Sequence, residues 1–158
     1  MGLELWLMRH GEAEDADRAG SDAERGLTER GRRQCAAVGQ WLAERTGPPQ
    51  LILHSPLKRA RETAEAFSHG TPLQAEPELG PGMRADRLLN ALNELGLSRV
   101  ACVGHQPDIG QCLVDCIGSS RVQIPPGTLA VVTFSSATAV IGGGALRGLL
   151  DPAWFSDR

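Results

Sequence analysis

The sequence predicts an α/β fold with a largely parallel central sheet. Short apolar runs alternate with stretches of helical periodicity, and three of the apolar runs end at a polar residue followed by a loop or a helix start. Two further strand-like runs stand close together near the end of the sequence. Alternating strand and helix patterns are typical of a sheet whose parallel strands are joined by helices.

The first predicted elements are a strand and a long helix. The strand is Leu3–Met8, and a polar, acidic loop, "GEAEDADRAGSDAERG", follows it closely. Thr28 is the predicted N-cap of the helix in "LTERGRRQCAAVGQWLAER", and "TGPPQ" ends that helix. Its apolar face consists of Cys35, Val38, Trp41 and Leu42.

The middle of the chain predicts two more pairs of strand and helix. The strand "LILH" leads into a helix for which Ser55 is the predicted N-cap and Pro56 the first residue. A weaker strand in "TPLQAEPEL" precedes a helix from about Asp86 to Leu95.

The last part of the chain predicts one more such pair and then a change of pattern. The strand "RVACVG" ends before His105, and the helix "PDIGQCLVDCIG" follows. The runs "TLAVVTF" and "TAVIGGGALRGLL" are close enough to pair as a hairpin or a sheet edge.

Length and composition limit the classes of protein to consider. With 158 residues, of which 41% are hydrophobic, we expect residues 1–158 to form a single domain. The net charge of -3 gives no broad basic face, so neither nucleic acid nor a membrane surface is an expected partner. The four cysteines lie in apolar segments and the first apolar run is too short for an export segment, so we expect a cytoplasmic protein.

Three predicted strands end in the same way, and this shared ending points to a site. Arg9 and His10 follow the first strand, His54 and Ser55 stand at the end of the second, and His105 follows the strand "RVACVG". In open α/β sheets ligands bind beyond the carboxyl ends of the strands, so we expect these residues to converge. Forked arginine donors, a helix start and imidazoles suit a phosphoryl group.

Four segments in this order, "LMRHGEAE", "LTERGRRQ", "SPLKRARETA" and "VGHQP", resemble the histidine phosphatase superfamily, specifically its short SixA-like branch of phosphohistidine phosphatases. The resemblance covers about the first two thirds of the chain. It implies a three-layer α/β/α sandwich of the phosphoglycerate mutase type. It also implies that His10 is the nucleophile that becomes phosphorylated, while Arg9, Arg59 and His105 hold the phosphoryl oxygens.

The residue that protonates the leaving group is less well defined. Larger members of the superfamily use a glutamate after the third strand, and Glu78 in "EPELGPG" is the corresponding candidate; Glu76 and Glu12 are alternatives. We expect the unreactive nitrogen of His10 to be held by a backbone carbonyl in the loop after Gly11.

The resemblance implies a phosphatase that needs neither a metal nor a cofactor and acts on phosphohistidine in a protein. The expected partner is a histidine phosphotransfer domain of two-component signalling. Two alternatives stay open: a phosphatase of small phosphate esters with the same machinery, and a phosphate-binding module without turnover.

Several residues have simpler interpretations. His54 is expected to pack beside the site, and Cys112 and Cys116 are expected to be buried apolar groups rather than metal ligands. Near the carboxyl terminus, Trp154 and Phe155 are expected to dock on the core.

Overall fold

The computed structural model describes residues 2–155, which form a mixed sheet with helices on both faces. Its strands are β1 (Glu4–Arg9), β2 (Leu51–His54), β3 (Leu73–Ala75), β4 (Arg99–Gly104), β5 (Leu129–Phe134) and β6 (Gly144–Leu150). Its helices are α1 (Ala16–Ala19), α2 (Glu29–Thr46), α3 (Lys58–Phe67), α4 (Ala85–Leu95) and α5 (Asp108–Ile117).

The order of the strands in the sheet is β3-β2-β4-β1-β5-β6. Strands β3, β2, β4 and β1 are parallel to one another, whereas β5 is antiparallel to both β1 and β6. Strands β2, β4 and β1 are therefore adjacent and end at the same edge of the sheet. The backbone N–H of His10 donates to Gly104 O (3.0 Å), and that of Ser55 donates to Val103 O (3.0 Å).

The side chains of β1 divide between two hydrophobic cores. Leu5 and Leu7 belong to the core that also contains residues of α4 and α5, whereas Trp6 and Met8 belong to the core formed with α2 and α3. Successive residues of a strand face opposite sides of a sheet, so an uninterrupted apolar strand indicates burial on both faces. The result is the predicted α/β/α sandwich with a mostly parallel sheet.

The two predicted N-caps have different outcomes. Thr28 is confirmed, because its hydroxyl oxygen accepts a hydrogen bond from Gly31 N (3.0 Å) at the start of α2. The prediction for Ser55 and Pro56 was wrong, since α3 begins at Lys58 and Leu57 is its N-cap residue. Ser55 is fully buried, and its hydroxyl is within hydrogen-bonding distance of a distant histidine.

The end of the chain also departs in part from the prediction. Strands β5 and β6 pair at the sheet edge as expected. The Phe155 ring packs edge-on against Trp41, with centroids 5.7 Å apart, but the Trp154 side chain is largely exposed, so docking is confirmed for Phe155 alone. Within residues 2–155, no helix has both the length and the apolar composition of a membrane span.

Candidate active site

His10 lies directly beyond the carboxyl end of β1, and its orientation is fixed by its own neighbour. The side chain is buried, and Nδ1–H donates to Gly11 O at 2.8 Å. This bond places the ring proton on Nδ1 and leaves the lone pair on Nε2. A backbone carbonyl was expected to hold this ring, and the structure identifies it as that of Gly11 itself.

Helix α3 holds the loop after β1 through Thr63. The Gly11 N–H donates to Thr63 Oγ1 (3.0 Å), and the Thr63 hydroxyl donates to Arg59 O (2.7 Å). Thr63 is fully buried. The sequence analysis missed this residue, although its position one helical turn after Arg59 places both on one face of the helix.

Gly11 fits this loop because it has no side chain. A Cβ atom at this position would lie 2.6 Å from Cys35 Sγ, which is closer than carbon and sulfur approach without displacement. Burial raises the pKa of the Cys35 thiol to about 12, so this sulfur is a packing group rather than a reactive thiolate.

His105 stands beside His10 at the end of β4. The two ring centroids are 5.4 Å apart, and Nε2 of His105 is 2.7 Å from the Ser55 hydroxyl oxygen. The Nδ1 atom of His105 is buried and has no hydrogen-bond partner among residues 2–155. The structure thus brings together the ends of β1, β2 and β4.

The two candidate arginines are anchored to loops. Arg9 Nη1 donates to Ile124 O (3.0 Å), in the segment before β5. Arg59 is 6% exposed, and its two terminal nitrogens donate to Asp22, from Nη1 to the backbone O (3.0 Å) and from Nη2 to Oδ2 (3.3 Å). The Nε atoms of both arginines are buried without a partner in the described part of the chain.

The electrostatic environment of His10 favours the neutral ring. Burial is the main cause that lowers its pKa from 6.5 to about 4, and repulsion from the charges of Arg59 and Arg9, and from His105 when that ring is protonated, lowers it further. The hydrogen bond to Gly11 opposes this shift. These interactions place all three neighbours within electrostatic range of His10, and they keep its Nε2 unprotonated at neutral pH.

His105 is shifted in the same direction. Burial lowers its pKa from 6.5 to about 4, and Arg59 adds to that effect, whereas the carboxylates of Asp108 and Asp22 oppose it. Both rings are therefore neutral at physiological pH.

The three candidate acids differ in how their carboxylates are engaged. The Glu12 carboxylate accepts from the Thr28 hydroxyl (2.8 Å) and pairs with Arg30 (3.1 Å). Glu76 Oε1 accepts from the backbone N–H of Glu78 (3.0 Å), in the short 3-10 turn that follows β3 and packs against β2 and β4. Among residues 2–155, the Glu78 side chain makes no hydrogen bond or ion pair, so its carboxylate is the one without a partner.

His54, Cys112 and Cys116 are buried, as the sequence analysis expected. His54 is buried at the end of β2, and its Nδ1–H donates to Ser55 O (2.9 Å). Cys112 and Cys116 are buried in α5, and the hydrogen bond of Cys112 with Cys116, together with burial, raises the pKa of the Cys112 thiol. Both cysteines belong to the hydrophobic core that also contains residues of α4.

Comparison with known proteins connects this geometry to a family. Residues 5–80 match the model of the histidine phosphatase superfamily, branch 1. An uncharacterised protein of Picosynechococcus sp. is 34% identical over 122 residues, which cover 69% of this chain and 70% of that protein. The phosphohistidine phosphatase SixA homolog of Haemophilus influenzae is 29% identical over 143 residues, covering 81% of this chain and 86% of that protein.

The similarity extends to the whole fold. A solved structure from Nakamurella multipartitia, proposed to be a SixA phosphohistidine phosphatase, superposes with a TM-score of 0.82 at 26% identity, covering 96% of this chain and 97% of that one. The sequence match includes the loop after β1 and the start of α3, and the structural match includes the strand ends that carry the site. This chain is a phosphatase that belongs to the histidine phosphatase superfamily, in its SixA-like branch.

Proposed function

We propose that this phosphatase hydrolyses phosphohistidine on a protein through a covalent phosphohistidine at His10, with residues 1–158 acting as one domain. The observation that supports this most directly is the state of the His10 ring. Its Nδ1–H is held by Gly11 O at 2.8 Å, and its pKa is lowered to about 4, so Nε2 is a neutral nucleophile.

In the proposed first step, Nε2 of His10 attacks phosphorus and the bond from phosphorus to the substrate nitrogen breaks. Arg9, Arg59 and His105 hold the phosphoryl oxygens and stabilise the charge-rich transition state. The substrate imidazole already carries a proton on its other nitrogen, so it keeps the electron pair of the broken bond and leaves as a neutral ring. Water then attacks the phosphorus bonded to His10, releasing inorganic phosphate and restoring the free imidazole.

Glu78 is the proposed proton donor when the leaving group needs one. An alkoxide is a poor leaving group without protonation, whereas an imidazole can leave already protonated. Glu78 therefore matters more for ester substrates than for phosphohistidine. No metal or cofactor enters the proposed sequence of steps.

The name of the Haemophilus influenzae relative supports phosphohistidine as the substrate group, and the short connections around the site favour a protein as its carrier. The chain between α3 and β4 contains only β3, a 3-10 turn and α4, so it offers little length for a cover over a small-molecule pocket. We propose a phosphorylated histidine phosphotransfer domain as the partner, and a cytoplasmic role in two-component signalling.

The test compares two substrates in the presence of EDTA. Phosphate release is measured from a phosphohistidine-bearing phosphotransfer domain and from p-nitrophenyl phosphate, with the wild-type protein and His10→Ala. We expect rapid dephosphorylation of the protein that is lost in the variant, together with weak ester hydrolysis.

Two other outcomes would replace the proposal. Strong His10-dependent hydrolysis of the ester with none on the protein would identify a phosphatase of small phosphate esters. Failure to trap acid-labile radioactive phosphate on His10 with either substrate would identify a phosphate-binding module.

A further inference from the structure

The structure gives Arg59 a partner that the proposed reaction does not use. Both terminal nitrogens of this buried guanidinium donate to Asp22, one to its backbone oxygen and one to its carboxylate. An arginine that binds a phosphoryl group through its terminal nitrogens uses the same atoms that Asp22 contacts here. Asp22 therefore occupies donors that a phosphoryl group can use.

The segment that carries Asp22 is pinned at its base. Residues 14–26 form a loop whose two ends lie side by side and make up its base. There Ala13 and Leu27 form an antiparallel bridge, and Glu14 N–H donates to Gly26 O (2.9 Å). The Leu27 N–H also donates to the Glu62 carboxylate (2.7 Å). These contacts hold the base of the segment, while the contact of Asp22 with Arg59 holds its tip.

A second arginine orients the Asp22 carboxylate. Arg25 Nη1 donates to Asp22 Oδ1 (3.2 Å), and Arg25 Nε donates to Glu14 O (2.6 Å), which fixes Arg25 to the base of the segment. The hydrogen bond from Arg25 and the charge of Arg59 lower the pKa of Asp22, so the carboxylate is charged at neutral pH. Its charge also acts on His105, another proposed phosphoryl-binding group.

The ion pair between Arg59 and Asp22 competes with a phosphoryl ligand for Arg59, but such a ligand can displace it. The Arg59 side chain is 7% exposed, but that of Asp22 is 65% exposed, and ion pairs with an exposed member contribute little net stability. A phosphoryl dianion with additional contacts to Arg9 and His105 can displace a single carboxylate. A ligand that makes few contacts apart from those with Arg59 displaces the Asp22 carboxylate less readily.

We propose that Asp22 is a specificity-determining residue whose carboxylate competes with phosphoryl groups for Arg59, so that the enzyme binds free inorganic phosphate weakly and releases it readily. This inference rests on the proposed function, in which Arg59 holds the phosphoryl group. A bound phosphoprotein has contacts outside the pocket that help it displace Asp22, whereas inorganic phosphate has none.

The test measures the inhibition constant of inorganic phosphate and the KM and kcat for p-nitrophenyl phosphate. Asp22→Asn keeps the size of the side chain but removes its charge. We expect the inhibition constant and KM to fall together by about five-fold, in line with the loss of one partly exposed ion pair, while kcat does not rise. Asp22→Glu restores a carboxylate and should return both constants towards their wild-type values.

The matched control is Glu24→Gln, which removes one negative charge from the same segment. The Glu24 side chain makes no hydrogen bond or ion pair with Arg59, and the Glu24 backbone N–H donates to Ser21 Oγ (3.3 Å). Its effect should be less than about two-fold, since exposed charges without direct contact are screened by salt. Equal effects of the two variants would overturn the inference and assign the effect to overall charge.

Arg59→Met separates this inference from the proposed function. If Arg59→Met weakens phosphate binding and abolishes any further effect of Asp22→Asn, the competition for Arg59 is supported. If Arg59→Met weakens binding but Asp22→Asn in the wild-type background does not tighten it, the proposed function stands and the inference on Asp22 fails. If Arg59→Met changes neither constant, Arg59 is not a phosphoryl clamp and both fail.

Discussion

Replacing Thr63 with valine removes a hydroxyl group that joins α3 to the loop after β1. Valine has nearly the same shape, so the packing of this buried position is preserved. What changes is the hydrogen bonding: the Gly11 N–H loses its acceptor at 3.0 Å, and Arg59 O loses a donor at 2.7 Å.

The expected loss of stability is about 2 kcal/mol, the typical effect of leaving a buried donor without its partner. For a chain of this size, that corresponds to a fall in the melting temperature of about 6 °C. Because Gly11 O orients the His10 ring, we also expect kcat to fall by about ten-fold through loss of positioning.

Thr128→Val is a matched control for this measurement. Thr128 is also fully buried, but its hydroxyl has no hydrogen-bond partner within residues 2–155. The same substitution should therefore change stability by less than about 0.5 kcal/mol or increase it slightly. Thermal melts of both variants, followed by circular dichroism, test the comparison; equal losses at the two positions would refute the assigned role of the Thr63 hydroxyl.

Three further predictions address titration, packing and proton donation. The pKa values of His10 and His105 are lowered from 6.5 to about 4, so the unfolded chain takes up protons first as the pH falls. These rings should therefore leave the free energy of unfolding unchanged above pH 6.5 and lower it by about 3 kcal/mol each as the pH falls towards 4. Urea denaturation at a series of pH values measures this fall, and NMR titration of the histidines checks the two pKa values. Gly11→Ala should destabilise the fold by about 2 kcal/mol because its Cβ meets Cys35 Sγ, and adding Cys35→Ala should recover much of that loss in thermal melts. Glu78→Gln should leave phosphohistidine turnover intact and abolish ester hydrolysis in steady-state assays; equal losses on both substrates would argue against Glu78 as the acid.

The sequence was most informative where an apolar run ends at a reactive residue. His10 and His105 could be placed at one sheet edge because parallel strands present their carboxyl ends together, and the structure brings their rings to 5.4 Å. The four consecutive apolar residues at positions 5–8 also agree with the burial of β1 on both faces of the sheet. The catalytic roles of these residues stay predictions that the experiments above test.

Rules based on neighbouring residues in the sequence were misleading where a side chain interacts with a residue far away in the chain. Ser55 has the residue type of an N-cap, and its hydroxyl oxygen accepts from Leu57 N (3.3 Å), but that hydroxyl also lies 2.7 Å from His105 Nε2, fifty positions away, and α3 starts later. Asp22 lies in a loop without periodicity, so no sequence pattern connects it with Arg59. The single helical turn α1 is too short for a periodic signal.

The central place of β1 also determines when the site can exist during synthesis. Glu4 pairs with Arg99 in β4 and with Thr133 in β5, so this apolar strand has no sheet partner until most of the chain has been made. Contacts so distant in sequence form slowly and leave apolar surface exposed in the meantime. A nascent chain that ends before β4 therefore carries His10 but lacks His105 and the strand that places the two rings together, and its first strand has no partner in the sheet.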